Sequence, residues 1–277
     1  MTAVSDVWIA AGDGGLLDPK GDIISLEDAH LLAAGNAQMF CFSRKRAEVL
    51  HLQKESWLPA APGLEAMCPC ESGRYLYELS GEADALICVD VKSARPVFSI
   101  KCGCYPQDLC LHPSHSMLAA ALGATGEISV YQAPNLVLQK NYRVPGIATR
   151  VAFIKQGIVF LSAVEKGEVH TMLGLIRHGA KAFEEVALFK GLPGALCALP
   201  DGSIALSVWG QIIRLWIRPF KVLFSYPLDG LVTHIEQAQG QLLLTDTASG
   251  AVSLIGIYPP HQRRQLFRGE WVHGIFG

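Results

Sequence analysis

Two Cys-X-Cys pairs, Cys68/Cys70 and Cys102/Cys104, lie 34 residues apart in this chain of 277 residues. Four thiolates could close around a structural zinc ion. His112-X-X-His115, His170, His178, His234 and His273 add imidazoles, but no His-Glu-X-X-His and no His-X-Glu paired with a cysteine motif accompanies them. There is no Gly-X-Ser-X-Gly elbow and no Gly-rich phosphate loop, so serine-hydrolase and nucleotide-hydrolase chemistry has no support. Whether the thiols can meet at one metal depends on the elements that carry them.

Those elements belong to a folded chain with a large core, because 50% of the residues are hydrophobic and only 17% charged. The net charge of −2 gives no bulk field toward nucleic acid or acidic lipid, so such binding would need local patches. The N-terminus, Met-Thr-Ala-Val-Ser-Asp-Val-Trp, lacks the basic stretch and apolar run of a signal peptide. No apolar run approaches the roughly 20 residues of a membrane span. The sequence reads as a soluble, cytoplasmic protein whose eight cysteines are free thiols.

The organisation is a repeat. Pro62-Gly-Leu-Glu-Ala-Met-Cys-Pro69, Pro106-Gln-Asp-Leu-Cys-Leu-His-Pro113 and Pro193-Gly-Ala-Leu-Cys-Ala-Leu-Pro200 share prolines seven apart around an apolar core. Each is followed by a turn and a second apolar run, Tyr75–Leu79, Met117–Ala121 and Ile204–Val208. Weaker copies place repeat starts at 20, 62, 106, 148, 193, 231 and 271, steps of 38 to 45 residues that suit a four-stranded blade. The first two strands of a repeat are nearly all apolar and the fourth is more polar, as in a sheet covered on both faces near its inner edge. One all-β domain over residues 1–277 follows, a β-propeller. The favoured count is seven blades with an incomplete closing blade made from both termini, and the alternative is six.

This frame separates the cysteine pairs. Cys68 falls at the far end of an inner strand and Cys104 just before the next begins, eight positions apart at about 3.3 Å each. The pairs therefore face opposite sides of the disc, and no metal or other cofactor is expected. The polar residues two places after each start converge instead at the channel mouth: Asp22, Asp108, Arg150, Thr233 and His273, a candidate ligand site. A second candidate is a basic rim on the turns between third and fourth strands: Arg44, Lys45, Arg46, Lys92, Arg95, Arg177, Lys181, Arg218, Lys221, Arg263 and Arg264. Those turns hold 11 of the 23 Lys and Arg and no acid, so they could dock an anionic partner. With few aromatics interleaved, nucleic acid is a poor fit.

The run Tyr105-Pro-Gln-Asp-Leu-Cys-Leu-His-Pro-Ser-His-Ser-Met-Leu-Ala-Ala-Ala-Leu-Gly, with Gly126-Glu-Ile-Ser-Val-Tyr131, resembles the repeat unit of bacterial YVTN and lactonase-like propellers. The Tyr-Val-Thr-Asn signature itself is absent, and no third strand ends in the Trp-Asp of WD repeats; Leu215-Trp216 is nearest. The resemblance implies a propeller and, through the lactonases, an enzyme working at the channel mouth on a small sugar or carboxylate substrate. The residues alone favour a non-enzymatic propeller that binds a small ligand or a protein partner, with the lactonase-like enzyme as the alternative.

Overall fold

The computed structural model describes the chain except residues 1–7, 12–14, 19, 21, 25, 27, 36–37, 104, 115, 239, 247–248, 259–260, 269–271 and 277. Six four-stranded antiparallel sheets are each built from strands consecutive in sequence. They are Ala29–Gly35, Gln38–Ser43, Glu48–His51 and Ser56–Pro59; Leu64–Pro69, Tyr75–Ser80, Ala85–Asp90 and Arg95–Lys101; and Pro106–Leu111, Met117–Leu122, Glu127–Gln132 and Val137–Arg143. The chain continues through Ile147–Ile154, Gly157–Glu165, Val169–Arg177 and Glu184–Lys190; Pro193–Ala198, Ile204–Val208, Gln211–Trp216 and Lys221–Pro227; and His234–Ala238, Gln241–Asp246, Ala251–Gly256 and Arg263–Arg268. The first strand of each blade packs against the first strand of the next.

The ring is closed by a further sheet that joins the two ends of the chain. Val272–Phe276 pairs with Trp8–Ala11, followed by Gly15–Leu17 and Ile23–Ile24. Val272–Phe276 also lies between the inner strands His234–Ala238 and Ala29–Gly35, which completes the circle. The expected blade count is corrected here. Six blades are continuous segments, and the closing sheet has a full set of four strands rather than an incomplete one. The N-terminal segment supplies three of its strands, two of them so short that apolar alternation gave no sign of them.

Burial follows the gradient in the sequence. Ile204–Val208 is buried along its whole length and Met117–Leu122 at all but its first residue, whereas Val137–Arg143 is exposed except at Tyr142. The core consists of apolar clusters between neighbouring blades, such as Ala119, Ala121, Phe153 and Phe160. Close packing dictates small residues there. The Phe160 ring occupies the space a Cβ at Gly174 would need, so only glycine fits that position of the third strand.

A β-bulge recurs where inner strands begin. It falls at Leu64/Ala66, Pro106/Asp108, Ala148/Arg150 and Pro193/Leu196 in the pairing with the second strand. A bulge re-aims the side chain that follows it. Ala66, Asp108 and Arg150 therefore hold equivalent places, and so do Cys68, Cys110 and Ala152 two residues on. The proline frame misses this by two residues in one repeat. Pro62 precedes the left-handed Gly63 and stands outside the strand, whereas Pro106 begins one, so Ala66 rather than Leu64 matches Asp108.

Candidate ligand site in the central channel

Asp108 and Arg150, from adjacent inner strands, and His234, from the inner strand two blades beyond that of Arg150, line a cavity of about 380 Å³ in the channel. Cys110, Cys197 and Glu236 line its deeper part. Three of the expected residues, Asp108, Arg150 and Thr233, are thus brought together. Thr233 matches Thr149 rather than Arg150: each hydroxyl donates to a carbonyl of the adjacent strand, Thr149 to Leu161 at 3.2 Å and Thr233 to Thr245 at 3.4 Å. The position beside Arg150 belongs to His234.

Asp22 is elsewhere. It lies exposed between the third and fourth strands of the closing sheet, where the Asp18 carboxylate accepts the N–H groups of Lys20 and Asp22 at 2.8 Å. That turn explains the misplaced repeat start at 20: the inner strand of the first continuous blade begins at Ala29. His273 sits on the inner strand Val272–Phe276, and its side chain lies outside the described residues.

The channel perturbs its ionisable groups in one consistent way. Their edges remain accessible because the channel is open, yet protein surrounds them and weakens hydration of charge. Loss of hydration raises the Asp108 carboxyl, opposed by the positive charge of Arg150 and by the Val151 N–H that Asp108 accepts at 2.9 Å. The same loss pushes Glu236 up to about 7. His234 is pushed down to about 4, first by desolvation and then by Arg150, so its imidazole is neutral. Arg150 stays protonated, and its Nη1 donates to the Thr149 carbonyl at 2.7 Å. One permanent cation therefore faces a neutral imidazole and two carboxyls whose ionised forms are disfavoured.

Further along the inner strands the wall carries the thiols of Cys110 and Cys197. Burial pushes the Cys110 thiol up to about 12 and raises Cys68 and Cys197 as well, which keeps them protonated and poorly nucleophilic. The described cysteines are all free, and no His, Cys, Asp and Glu side chains among the described residues are grouped to hold a metal ion. A larger space of about 760 Å³ opens beyond, between His112, Lys155, Asp201 and Glu236. Glu236 and Cys197, with Pro113, Phe153 and Ala198, line both spaces and so lie at the boundary between them.

His234 and Glu236 were not singled out as channel residues from sequence. The polar–apolar–polar alternation of His234-Ile235-Glu236, with Ile235 buried, was the signal available for both.

The basic turns divide. Lys92, Arg95, Arg177, Lys181, Arg218, Lys221, Arg263 and Arg264 are exposed at or beside turns between third and fourth strands. Arg44, Lys45 and Arg46 instead join the second strand to the third of their blade, and such turns lie at the opposite end of the strands. The misplaced repeat start caused this error too. On the remaining rim, Arg177 and Arg218 share the carboxylate of Glu184 across two blades, which reduces its net charge. Arg46 pairs with Glu48 at 3.0 Å and stacks on Trp57.

No known family description matches the sequence, and no curated relative does. Solved structures resemble it in fold. Hydrazine synthase from Kuenenia stuttgartiensis superposes with a TM-score of 0.72 at 13% identity, over 84% of this chain and 78% of that one. The periplasmic gluconolactonase PpgL of Pseudomonas aeruginosa gives a TM-score of 0.70 at 11% identity, over 98% of both chains. At such identity the likeness establishes the architecture alone, a β-propeller.

Proposed function

We propose that the protein is a ligand-binding propeller without catalytic turnover, and that its channel takes a compact hydroxylated acid. The observation that carries this reading is Arg150, a cation that cannot be discharged, facing the neutral His234 and the carboxyl of Asp108 across a cavity of about 380 Å³. A ligand carboxylate would pair with the guanidinium in a weakly hydrated setting, where charge-assisted hydrogen bonds are strong. Ligand hydroxyls would reach Asp108 as acceptor and His234 as donor or acceptor. The test is a thermal-shift and calorimetric titration with sugar acids, their lactones and matched neutral sugars, on the wild type and Arg150→Gln. Binding of the acids that Arg150→Gln abolishes supports the reading. Equal binding of acids and neutral sugars would sink it.

The group that favours a second reading, a lactonase-like hydrolase, is Glu236. Its carboxyl is pushed up to about 7, close to the value that suits a general acid–base at neutral pH. Glu236 would take a proton from water as the water oxygen bonds to the lactone carbonyl, then return it to the ring oxygen as the acyl C–O bond breaks. Gluconolactone hydrolysis followed by pH-stat separates the two readings. Turnover above the buffer rate that Glu236→Gln removes would make the protein an enzyme.

A further inference from the structure

A second cavity, of about 250 Å³, lies away from the channel axis in the cleft between the blade containing Met117–Leu122 and the blade containing Gly157–Glu165. Its floor is apolar: Met117, Val130, Phe153, Ile158 and Ile176. Its rim carries the cations of Lys140 and Arg177 together with His178, and no carboxylate belongs to its lining. The cleft is held open by specific contacts. Lys140 Nζ and the Tyr142 hydroxyl both donate to the Ala180 carbonyl at 3.2 Å, and His178 Nε2 donates to the Lys155 carbonyl at 3.1 Å. Across the adjoining turn, Phe183 meets the ring of Phe160 edge-on at 5.7 Å between centroids.

Each feature limits the occupant. Apolar residues line the floor, so a polar sugar would lose hydration there without compensation. Lys140 uses the Ala180 carbonyl for one donor and, as an ammonium, retains two more. Arg177 is already paired with Glu184 at 2.8 Å, which makes Lys140 the principal free charge at this rim. The volume corresponds to a molecule of about ten non-hydrogen atoms, near the lower end of ordinary ligand sites.

We propose that this inter-blade cleft binds a small apolar carboxylate, an aryl or short alkyl acid, with the hydrocarbon on the Met117, Val130 and Ile158 floor and the carboxylate at Lys140. The site is independent of the hydroxylated-acid site in the channel. Phe153 borders both cavities, but Arg150 and His234 take no part in this one.

The experiment uses the intact chain and three probes, phenylacetate, benzoate and hexanoate, each beside its uncharged amide, in calorimetry and ligand-observed NMR. The acids should bind at least about tenfold more tightly than the amides, the scale of one charge-assisted contact. Lys140→Met should erase that preference, and Met117→Trp, which fills the cleft from a half-buried position, should abolish binding of acid and amide alike. Arg150→Gln should leave the probes' affinity unchanged. Absence of binding overturns the proposal, as does equal affinity for acid and amide. Loss of binding in Arg150→Gln with retention in Lys140→Met would place the probes in the channel and overturn it equally.

Discussion

The carboxylate of Asp108 reaches from one blade to the next and accepts the backbone N–H of Val151 at 2.9 Å. The bond ties two inner strands together at the level of Arg150, so the same carboxyl that faces the cavity also fixes the position of the cation beside it. Structure and recognition can be separated here because an amide oxygen can accept the same N–H. Asp108→Asn should keep the inter-strand bond and fold with stability within about 1 kcal/mol of wild type, while Asp108→Ala should lose about 1–3 kcal/mol by leaving a buried N–H unmatched. Both should weaken capture of a hydroxylated ligand. Denaturant unfolding of the two variants checks the first claim, and equal stability of Asn and Ala would refute it.

Glu78 predicts a pH dependence. It is 1% exposed on the second strand of its blade, where one oxygen accepts the Ala61 N–H at 2.9 Å and the other is buried without a hydrogen-bond partner. Burial pushes its carboxyl up from 4.5 to about 7. The folded state then holds a proton that the unfolded state has released, so stability falls as pH rises from about 4.5 to about 7 and is level above that. A shift of this size corresponds to a loss on the order of 3 kcal/mol. His234 works the other way, since a pKa lowered from 6.5 to about 4 adds stability as pH rises through that window. The difference between wild type and Glu78→Gln isolates the Glu78 contribution. That variant should gain stability relative to wild type between pH 5 and pH 8, and a constant difference across this range would exclude the buried-carboxyl account.

Asp201 and Arg214 should respond unequally to deletion. The Arg214 side chain is 7% exposed and pairs with Asp201, which is 35% exposed. The guanidinium also donates to Ser203 Oγ at 3.0 Å and to the Ile257 carbonyl at 2.9 Å, joining two blades. Removing the acid strands a buried cation, so Asp201→Ala should cost about 3–5 kcal/mol. Removing the cation leaves an acid that can hydrate, so Arg214→Met should cost less. The double variant should recover part of the Asp201→Ala loss. A double-mutant cycle by urea unfolding measures the recovery, and strict additivity would show that the pair does not interact.

How much of this was legible depended on how regular each repeat was. Strands such as Met117–Leu122 and Ile204–Val208 are short apolar runs set off by turn residues, as buried strands are, and the sequence reading located them to within a residue. The closing sheet was legible in its parentage but not its completeness, because Gly15–Leu17 and Ile23–Ile24 are too short for any period to show. The channel site was legible where the repeat start falls on the inner strand, as Pro106 does for Asp108 and Ala148 for Arg150. It slipped at Leu64, where the Gly63 turn precedes the strand, and at Thr233, which matches the bulged Thr149 rather than Arg150. Gly63 and the bulged Thr149 carry no marker of their own, since a bulge is fixed by pairing with a partner strand. The displaced basic cluster Arg44–Arg46 has the same origin, an N-terminal copy without the proline frame.

Gly174 and Phe160 offer a test of core packing alone. They are directly paired on the third and second strands of one blade, and the ring fills the volume above the glycine. Gly174 is not in the left-handed region, so Gly174→Ala introduces a steric conflict without a backbone penalty. Phe160 is fully buried and already packed against Phe183, so the ring cannot withdraw without disturbing the cluster between its blade and the preceding one. Overpacking of this kind costs about 1–3 kcal/mol. Phe160→Leu alone should destabilise by removing ring contacts, but added to Gly174→Ala it should relieve the clash, making the double variant more stable than the sum of the single losses. Thermal unfolding of the four proteins decides the matter. A Gly174→Ala variant as stable as wild type would mean that the ring has room to move, and the cleft beside it would then be softer than its packing indicates.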